Sequence, residues 1–403
     1  MTLELTLIQS LALAALASFL GSFIKSHVNL FQKYFIPAPV IGGLLAAIVV
    51  TIGYSTGSFQ ISFDKTLNPL LLQMFFTATG FTFSIKSLKK SGVLGLKIAA
   101  VILAFAFLQN FIAAFIAPLV GVDPLLGLTV GSMSMSGGPG NAAAFGPNIE
   151  DLGIQGAGVA AIAAATAGLV IGSIIGGPVA RRLITKNKLV GNRTVDHKEV
   201  IDKKVEIADP VDNHKAILGK SLIQSVILIL VAIGLGEFVV KFLDNITGFG
   251  WPDYVGGLFV AAILTNVLEA INIKTESAII EDVGNTALNI FLTLTVMSTE
   301  IWVLLDLALP LVVLLLAQTL FVVLVCSFIT YRVFGKDYDA AVMSAGMCGV
   351  AIGSTPNAVA NMDSVIEDNY PAPIPMTILP PVVSIALSVI NPIFITLAIN
   401  FLS

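Results

Sequence analysis

The stretch Ser132–Pro147, SMSMSGGPGNAAAFGP, interrupts an apolar part of the chain where a membrane helix would otherwise form. Glycine is flexible and proline lacks a backbone donor, so this composition breaks a helix. Hydrocarbon cannot satisfy the N–H and C=O groups that a break leaves free, so such backbone must be packed in protein or line a wet cavity. Freed carbonyl groups can coordinate a cation, and exposed helix N-termini can hold an anion. The stretch therefore predicts a binding element inside a membrane protein.

Composition places the rest of the chain in a bilayer as well. Of its 403 residues, 56% are hydrophobic and 11% are charged. A spanning helix needs roughly 20 mostly apolar residues, and about ten segments meet that requirement. They lie near 5–24, 37–54, 67–84, 92–117, 154–180, 217–240, 252–268, 283–302, 307–331 and 372–401. Their periodicity is helical or uniformly apolar, without the alternation of a membrane barrel, which predicts an all-α membrane protein.

Basic residues predict the topology, because short loops rich in Lys and Arg remain in the cytoplasm. If the two broken segments, 125–147 and 339–362, enter and leave the membrane on one side, each half of the chain has five spans. Both termini then lie outside, and most basic loops lie inside together with the polar linker 181–216. If both segments instead span fully, with the termini inside, the basic loops near Lys25 and Lys86 move outside. The five-plus-five arrangement is therefore favoured.

Two pairs of similar stretches indicate that the halves, 1–180 and 217–403, are repeats. PAPVIGGLLAAI from Pro37 resembles PDYVGGLFVAAI from Pro252, and PGNAAA from Pro139 resembles TPNAVA from Thr355. The offsets are similar, 256 − 42 = 214 for the first glycine of each GG pair and 357 − 141 = 216 for the asparagines. An odd number of spans gives such repeats opposite orientations. Inverted repeats with interrupted segments are typical of secondary transporters with a midplane binding site.

Neutral oxygen atoms and backbone groups dominate both interruptions, and these suit a hard cation better than a proton relay. Sodium is therefore the expected coupling ion, with no organic cofactor. The candidate substrate-binding residues are Ser136, Gly137, Gly138, Gly140, Asn141, Ser354, Thr355, Asn357 and Asn361. The candidate sodium-binding residues are Ser134, Gly353, Ser354, Thr355, Thr79 and Ser298. The alternative is structural, since glycine, serine and threonine also serve helix packing in membranes.

Other functional classes fit the sequence less well. A channel could use re-entrant loops, but no filter motif or ring of charges is visible. A membrane enzyme would need a catalytic cluster inside the spans, and none is found, so no catalytic residue is proposed. Cys326 and Cys348 indicate no disulfide framework, and no nucleic-acid motif is present.

Both broken segments also resemble a known family, the bacterial sodium/glutamate symporters. SGGPGNAAA from Ser136 is similar to the family motif S-G-G-H-G-T-G-A-A, and GMCGVAIGSTPNAVANM from Gly346 is similar to its second motif. FFTATGFTFSIKSLKKSG from Phe75 and VMSTEIW from Val296 extend the resemblance over nearly the whole chain. It implies sodium-coupled uptake of a small carboxylate such as glutamate, inverted repeats, re-entrant loops, a homodimer and an elevator-type movement in a bacterial cytoplasmic membrane.

Four positions depart from the family pattern. Pro139 replaces a histidine, Asn141 and Asn357 each replace a threonine, and Ser388 stands where family members carry an aspartate. An intramembrane carboxylate is costly and usually functional, and one in this place could pair with a substrate ammonium. Sodium-coupled transport of an organic anion that is not an amino acid is therefore the alternative function.

Overall fold

The computed structural model describes residues 2–191, 214–273, 277–299 and 303–403, and their architecture is almost entirely helical. Two short strands, β1 (Thr2–Glu4) and β2 (Gln60–Ser62), pair in parallel. The helices are α1 (Leu7–His27), α2 (Asn29–Lys33), α3 (Ala38–Ser55), α4 (Asn68–Gly80), α5 (Ile85–Lys90), α6 (Gly92–Ile116), α7 (Pro124–Leu128), α8 (Gly138–Asp151), α9 (Ala157–Asn187), α10 (His214–Thr247), α11 (Asp253–Ala270), α12 (Ser277–Met297), α13 (Val303–Val325), α14 (Tyr331–Val333), α15 (Tyr338–Ile352), α16 (Thr355–Glu367) and α17 (Pro373–Leu402). A 3₁₀ turn at Ala117–Val120 follows α6, and a π-helical turn at Cys326–Thr330 follows α13.

Within the described residues, eight helical segments are long and apolar enough to cross a membrane, which confirms the all-α membrane fold. They lie in α1, α3, α6, α9, α10, α11, α13 and α17. The predicted spans 67–84 and 283–302 correspond to α4 and α12. Helix α4 has 13 residues and is therefore about 20 Å long, too short to cross roughly 30 Å of hydrocarbon alone. Helix α12 carries Glu281 and Asp282 near its beginning, so it is less apolar than the others.

The predicted linker 181–216 overlaps described helices at both ends, α9 up to Asn187 and α10 from His214. Helix α9 continues to Asn187, so Arg181–Asn187 belongs to the helix. Its first basic residue, Arg181, forms an ion pair with Asp368 just after α16, which fixes this end of α9. Residues 192–213 lie outside the described part of the chain, and their assignment as a cytoplasmic linker stays a prediction.

The helices form two groups. In the first bundle, α1, α3, α4, α10, α11 and α12 pack mainly against one another. In the second bundle, α6 to α9 and α13 to α17 do the same. The groups meet mainly where α17 contacts α4 and α11, and where α8 contacts α12. Each half of the chain therefore contributes its early helices to the first bundle and its later helices, including the broken segment, to the second.

Glycines hold the early helices together in both halves. A Cβ atom on Gly42 of α3 would lie 1.8 Å from the Ala17 carbonyl oxygen of α1. A Cβ atom on Gly256 of α11 would likewise lie 2.1 Å from the Gly236 carbonyl oxygen of α10. Only glycine permits such close backbone approach between membrane helices. The GG pairs that align in the sequence therefore perform the same packing role in each half.

Candidate functional site

The two helix breaks lie next to each other in the second bundle. The first occupies residues 129–137, between α7 and α8, and the second occupies Gly353 and Ser354, between α15 and α16. Gly138 has a φ of +68°, and a Cβ atom there would lie 3.7 Å from the Gly353 carbonyl oxygen. Pro139 and Pro356 occupy the first turns of α8 and α16, where a missing N–H is tolerated. Two helix N-termini therefore begin beside this contact, and their partial positive charge favours an anion.

Asparagine side chains attach the second break to α9. The Asn357 amide donates to the Leu169 carbonyl at 2.7 Å, and its oxygen accepts from the Ser354 hydroxyl at 3.0 Å. The Asn361 amide donates to the Gly172 carbonyl at 2.7 Å. Both asparagine side chains are buried. Their polar groups are therefore engaged within the protein, so in this conformation both residues position the break.

Glycines on one face of α9 make this attachment possible. Gly168, Gly172 and Gly176 recur every four residues and so lie on the same side of the helix. A Cβ atom on Gly168 would lie 2.4 Å from the Ile352 carbonyl oxygen, and one on Gly176 would lie 2.4 Å from the Asn361 amide nitrogen. Gly168, Gly172 and Gly176 thus serve packing of the second break.

A buried glutamine connects the first break to the second. The Ser136 hydroxyl donates to Gln109 Oε1 at 2.6 Å, and Gln109 Nε2 donates to the Ala351 carbonyl at the end of α15, also at 2.6 Å. Gln318 of α13 donates to the Gln109 carbonyl at 2.8 Å. Neither glutamine was among the residues predicted from the sequence. The available signal was an amide inside an apolar span, which is costly unless it is hydrogen-bonded.

Ser134 and Asn141, also predicted to bind ligands, differ in whether their side chains are free to do so. Ser134 is buried, and its hydroxyl contacts the carbonyls of Thr129 and Ala161 at 2.5 and 2.8 Å. Asn141 is half-buried, and its amide makes one long bond of 3.3 Å to the Gly137 carbonyl of its own turn. Of the two asparagines that align between the halves, Asn141 is therefore the one that a ligand could engage with little rearrangement.

Two cavities lie along the same three helices, at opposite ends of α4 and α12 and at the end and the middle of α17. The larger has a volume of about 1060 Å³ and is lined by the beginning of α4, the ends of α12 and α17, and the later part of α8. The smaller has a volume of about 340 Å³ and is lined by the end of α4, the beginning of α12 and the middle of α17. Both lie along the boundary between the first and second bundles.

Aromatic side chains of α4 and α11 pack against α8, which follows the first break. Phe76 stacks on Tyr254 at a centroid distance of 4.5 Å, and Phe145 meets the Tyr254 ring edge-on at 5.3 Å. A Cβ atom on Gly140 would lie 3.3 Å from the Phe75 ring, which also lines the smaller cavity. The beginning of α8 therefore contacts a ring that lines the smaller cavity, whereas the later part of α8 lines the larger one.

The helical hydroxyl groups that were predicted to bind sodium do not share one place. Thr79 lines the smaller cavity, and Ser298 lines the larger one. Gly284 of α12 packs beside Ala78, the neighbour of Thr79 in α4, and Met297 of α12 directly precedes Ser298. Along α12, Gly284 and Met297 are separated by roughly 20 Å at 1.5 Å per residue. Thr79 and Ser298 could therefore serve only two different ions. A further hydroxyl of α4, that of Thr77, points toward Gly257 of α11.

Comparison with known proteins identifies the family. The profile of the family described as Sodium/glutamate symporter matches residues 3–371. The Sodium/glutamate symporter of Escherichia coli (strain K12) is 36% identical over 397 residues, which cover 98% of this chain and 97% of that protein. The chain belongs to the sodium/glutamate symporter family. The Sodium/glutamate symporter of Haemophilus influenzae is also 36% identical, over 95% of this chain and 94% of its own.

A solved structure, the sodium proton antiporter MjNhaP1 from Methanocaldococcus jannaschii, aligns over 98% of both chains with a TM-score of 0.42 and 14% identity. Family membership confirms the resemblance drawn from the broken segments, and the relatives are transporters rather than enzymes. Of the positions that depart from the family pattern, Ser388 lines the smaller cavity, whereas Pro139 and Asn141 lie in the first turn of α8.

Proposed function

We propose that this chain is a sodium-coupled symporter of glutamate or a closely similar small carboxylate in the bacterial cytoplasmic membrane. The observation that carries the proposal is that a member of this family has two helix breaks that lie next to each other in the second bundle, where Gly138 approaches the Gly353 carbonyl. The curated relatives are named sodium/glutamate symporters. In the predicted topology, with both termini outside, the larger cavity faces outward and the smaller faces the cytoplasm.

The beginnings of α8 and α16 are the proposed place for a substrate carboxylate. Their free N–H groups and helix dipoles favour an anion, and the neighbouring Asn141 amide can donate a hydrogen bond. A carboxylate there would lie near the Phe75 ring, which lines the smaller cavity. The predicted substrate set around Ser136–Asn141 and Ser354–Thr355 is retained in this proposal, with Asn357 and Asn361 as positioning residues.

The smaller cavity favours an amino acid over an organic anion without an amino group. The hydroxyls of Thr79, Thr82 and Ser388 donate to backbone carbonyls of their own helices, at 2.8–3.0 Å. Their remaining lone pairs can only accept hydrogen bonds. Glu281 lines the same cavity and adds a carboxylate. Such an acceptor-rich lining suits an ammonium group. It would take the place of the aspartate that family members carry where this chain has Ser388.

An elevator-type movement is proposed for the second bundle against the first. Both breaks and their supporting network lie in the second bundle, whereas contacts between the bundles are few. Movement of the second bundle would carry the bound ligand from the level of one cavity toward the other. We also propose that the two halves are inverted repeats with re-entrant loops, that the protein forms a homodimer, and that the linker lies in the cytoplasm.

Purified protein in proteoliposomes tests the coupling. Inward sodium should drive glutamate accumulation, and a protonophore at clamped voltage should leave this uptake intact. Aspartate and a dicarboxylate without an amino group serve as competing solutes that distinguish the alternative substrate class. Uptake driven equally well by protons in sodium-free buffer would reject sodium coupling, and downhill flux insensitive to any ion gradient would favour a channel.

Single substitutions distinguish the two aligned asparagines. Asn141→Ala should weaken glutamate binding by about 1–3 kcal/mol, the cost of leaving a buried polar partner unsatisfied. Asn357→Ala should instead lower the free energy of unfolding by about 1–3 kcal/mol through loss of the bond to Leu169. Isothermal titration calorimetry measures glutamate binding by each purified variant, and thermal denaturation measures its stability. Asn141→Thr is the milder control. Equal effects of the two alanine variants on binding, with no loss of stability, would contradict this division of roles.

A further inference from the structure

A group of buried oxygen atoms without partners lies beside the first break. Within the described residues, every buried side-chain polar atom that lacks a hydrogen bond is an oxygen, and the set includes Ser132 Oγ and Asn391 Oδ1. Both residues are fully buried. A buried polar atom without a partner is costly, so each such atom in a native protein requires an explanation.

These two residues contact each other. Asn391 Nδ2 of α17 donates to the Ser132 carbonyl at 3.2 Å, which fixes the orientation of the amide and leaves Oδ1 free. The Ser132 backbone N–H donates to Asn110 Oδ1 of α6 at 2.8 Å. Ser132 is therefore held at both its backbone N–H and its carbonyl, while its hydroxyl makes no hydrogen bond to the described residues. The unpaired atoms belong to one cluster where α6, α17 and the turn segment 129–137 meet.

The chemistry of the cluster fits a cation. The amide nitrogen of Asn391 is engaged, and the two atoms left over, an amide oxygen and a hydroxyl oxygen that can rotate its hydrogen away, have lone pairs that a cation can use as ligands. Sodium in membrane transporters is held by backbone carbonyls of unwound segments together with neutral side-chain oxygens. The turn segment 129–137 supplies such carbonyls. The carboxyl-terminal end of α15 lies close by, with the Ala351 carbonyl 3.4 Å from Ser136 Oγ, and its dipole favours positive charge.

We propose that Ser132 Oγ and Asn391 Oδ1 are ligands of a coupling sodium ion, with backbone carbonyls of the segment 129–137 completing its shell. This site differs from the residues predicted from the sequence, and it rests on the proposed sodium coupling. An ion there joins α17 to the first break within the second bundle. Its binding would order the segment that precedes α8, and so would favour the substrate site at the α8 N-terminus.

The test titrates the thermal unfolding midpoint of the purified protein with NaCl, at constant ionic strength with choline chloride. A ligand that binds only the folded state raises the midpoint in a concentration-dependent way. Ser132→Ala removes only an unpaired hydroxyl, so without sodium it should be as stable as the native protein or more so. The sodium concentration for half-maximal stabilisation should rise by about tenfold, as should that for uptake.

Two further variants separate a ligand role from a packing role. Thr77→Val removes an equally buried, unpaired hydroxyl in the first bundle, and should leave the sodium concentration unchanged. Asn391→Ala should weaken sodium binding, whereas Asn391→Asp keeps an oxygen and should restore it. If the native protein responds to sodium and Ser132→Ala gives the same titration, a buried water satisfies these atoms and the proposed site is overturned. A native protein without any sodium response would overturn both the site and the proposed coupling.

Discussion

Replacing Gly353 by alanine is expected to lower sodium-driven uptake by about 100-fold, because two buried hydrogen bonds worth about 1–1.5 kcal/mol each are lost. A Cβ atom at this position would lie 2.3 Å from Asn357 Nδ2 and 2.9 Å from the Gly349 carbonyl oxygen. The Asn357 side chain would therefore have to leave its bonds to Leu169 and Ser354, which position the start of α16. The change acts on the second break itself, and a loss of thermal stability should accompany the loss of uptake.

Matched glycine variants define the cause. Gly177→Ala is placed on α9, where a Cβ atom meets nothing within 4 Å, and it should transport normally. Gly138→Ala has room for a Cβ atom but retains a φ of +68°, so its strain should cost about 1–2 kcal/mol and give an intermediate loss. Uptake and unfolding are measured for all three in parallel. Normal uptake in Gly353→Ala would show that the Asn357 attachment is dispensable for transport.

A covalent link between the bundles is expected to stop uptake altogether. The Asn400 side chain of α17 bonds both the N–H and the carbonyl of Gly250, at 3.0 and 3.3 Å, in the loop before α11. This contact joins the second bundle to the first beside the larger cavity. In Gly250→Cys/Asn400→Cys, a short bifunctional thiol reagent should reduce uptake to the level of empty liposomes, because the bundles can no longer move past each other. A reducible reagent allows activity to be restored afterwards.

The control link lies inside one bundle. The Asp64 backbone N–H donates to the Ser10 hydroxyl of α1 at 2.9 Å, and both residues belong to the first bundle. Linking Ser10→Cys to Asp64→Cys should leave most of the uptake intact. Cys326 and Cys348 are buried, which protects them from the reagent. The single variants Gly250→Cys and Asn400→Cys report any background reaction. Full uptake after complete linking of positions 250 and 400 would exclude a movement between the bundles.

Hydropathy and local backbone chemistry made the class of the protein readable from the sequence. Long apolar segments must become helices in hydrocarbon, so the all-α membrane fold followed from composition. Glycine and proline act on their own backbone regardless of distant contacts, so a break within each predicted segment was readable. The extent of the first break was not, because Gly138–Pro147 belongs to helix α8. The similar stretches around Gly42 and Gly256 were visible in the sequence, although the reason for them, close approach to α1 and α10, required the packed helices.

The internal partners of the site were decided only by tertiary structure. Gln109 and the Ala351 carbonyl are 242 residues apart in the chain, and no local pattern connects them. Asn357 and Asn361 resembled ligand-binding residues in sequence, but α9 supplies carbonyls that engage their amides. Conversely, Ser132 and Asn391 were not among the predicted ligands, and their unpaired oxygens became apparent only when α17 was seen against the first break. A sequence specifies which groups need partners, whereas the packing of distant helices determines which partners they obtain and which groups remain free for a ligand.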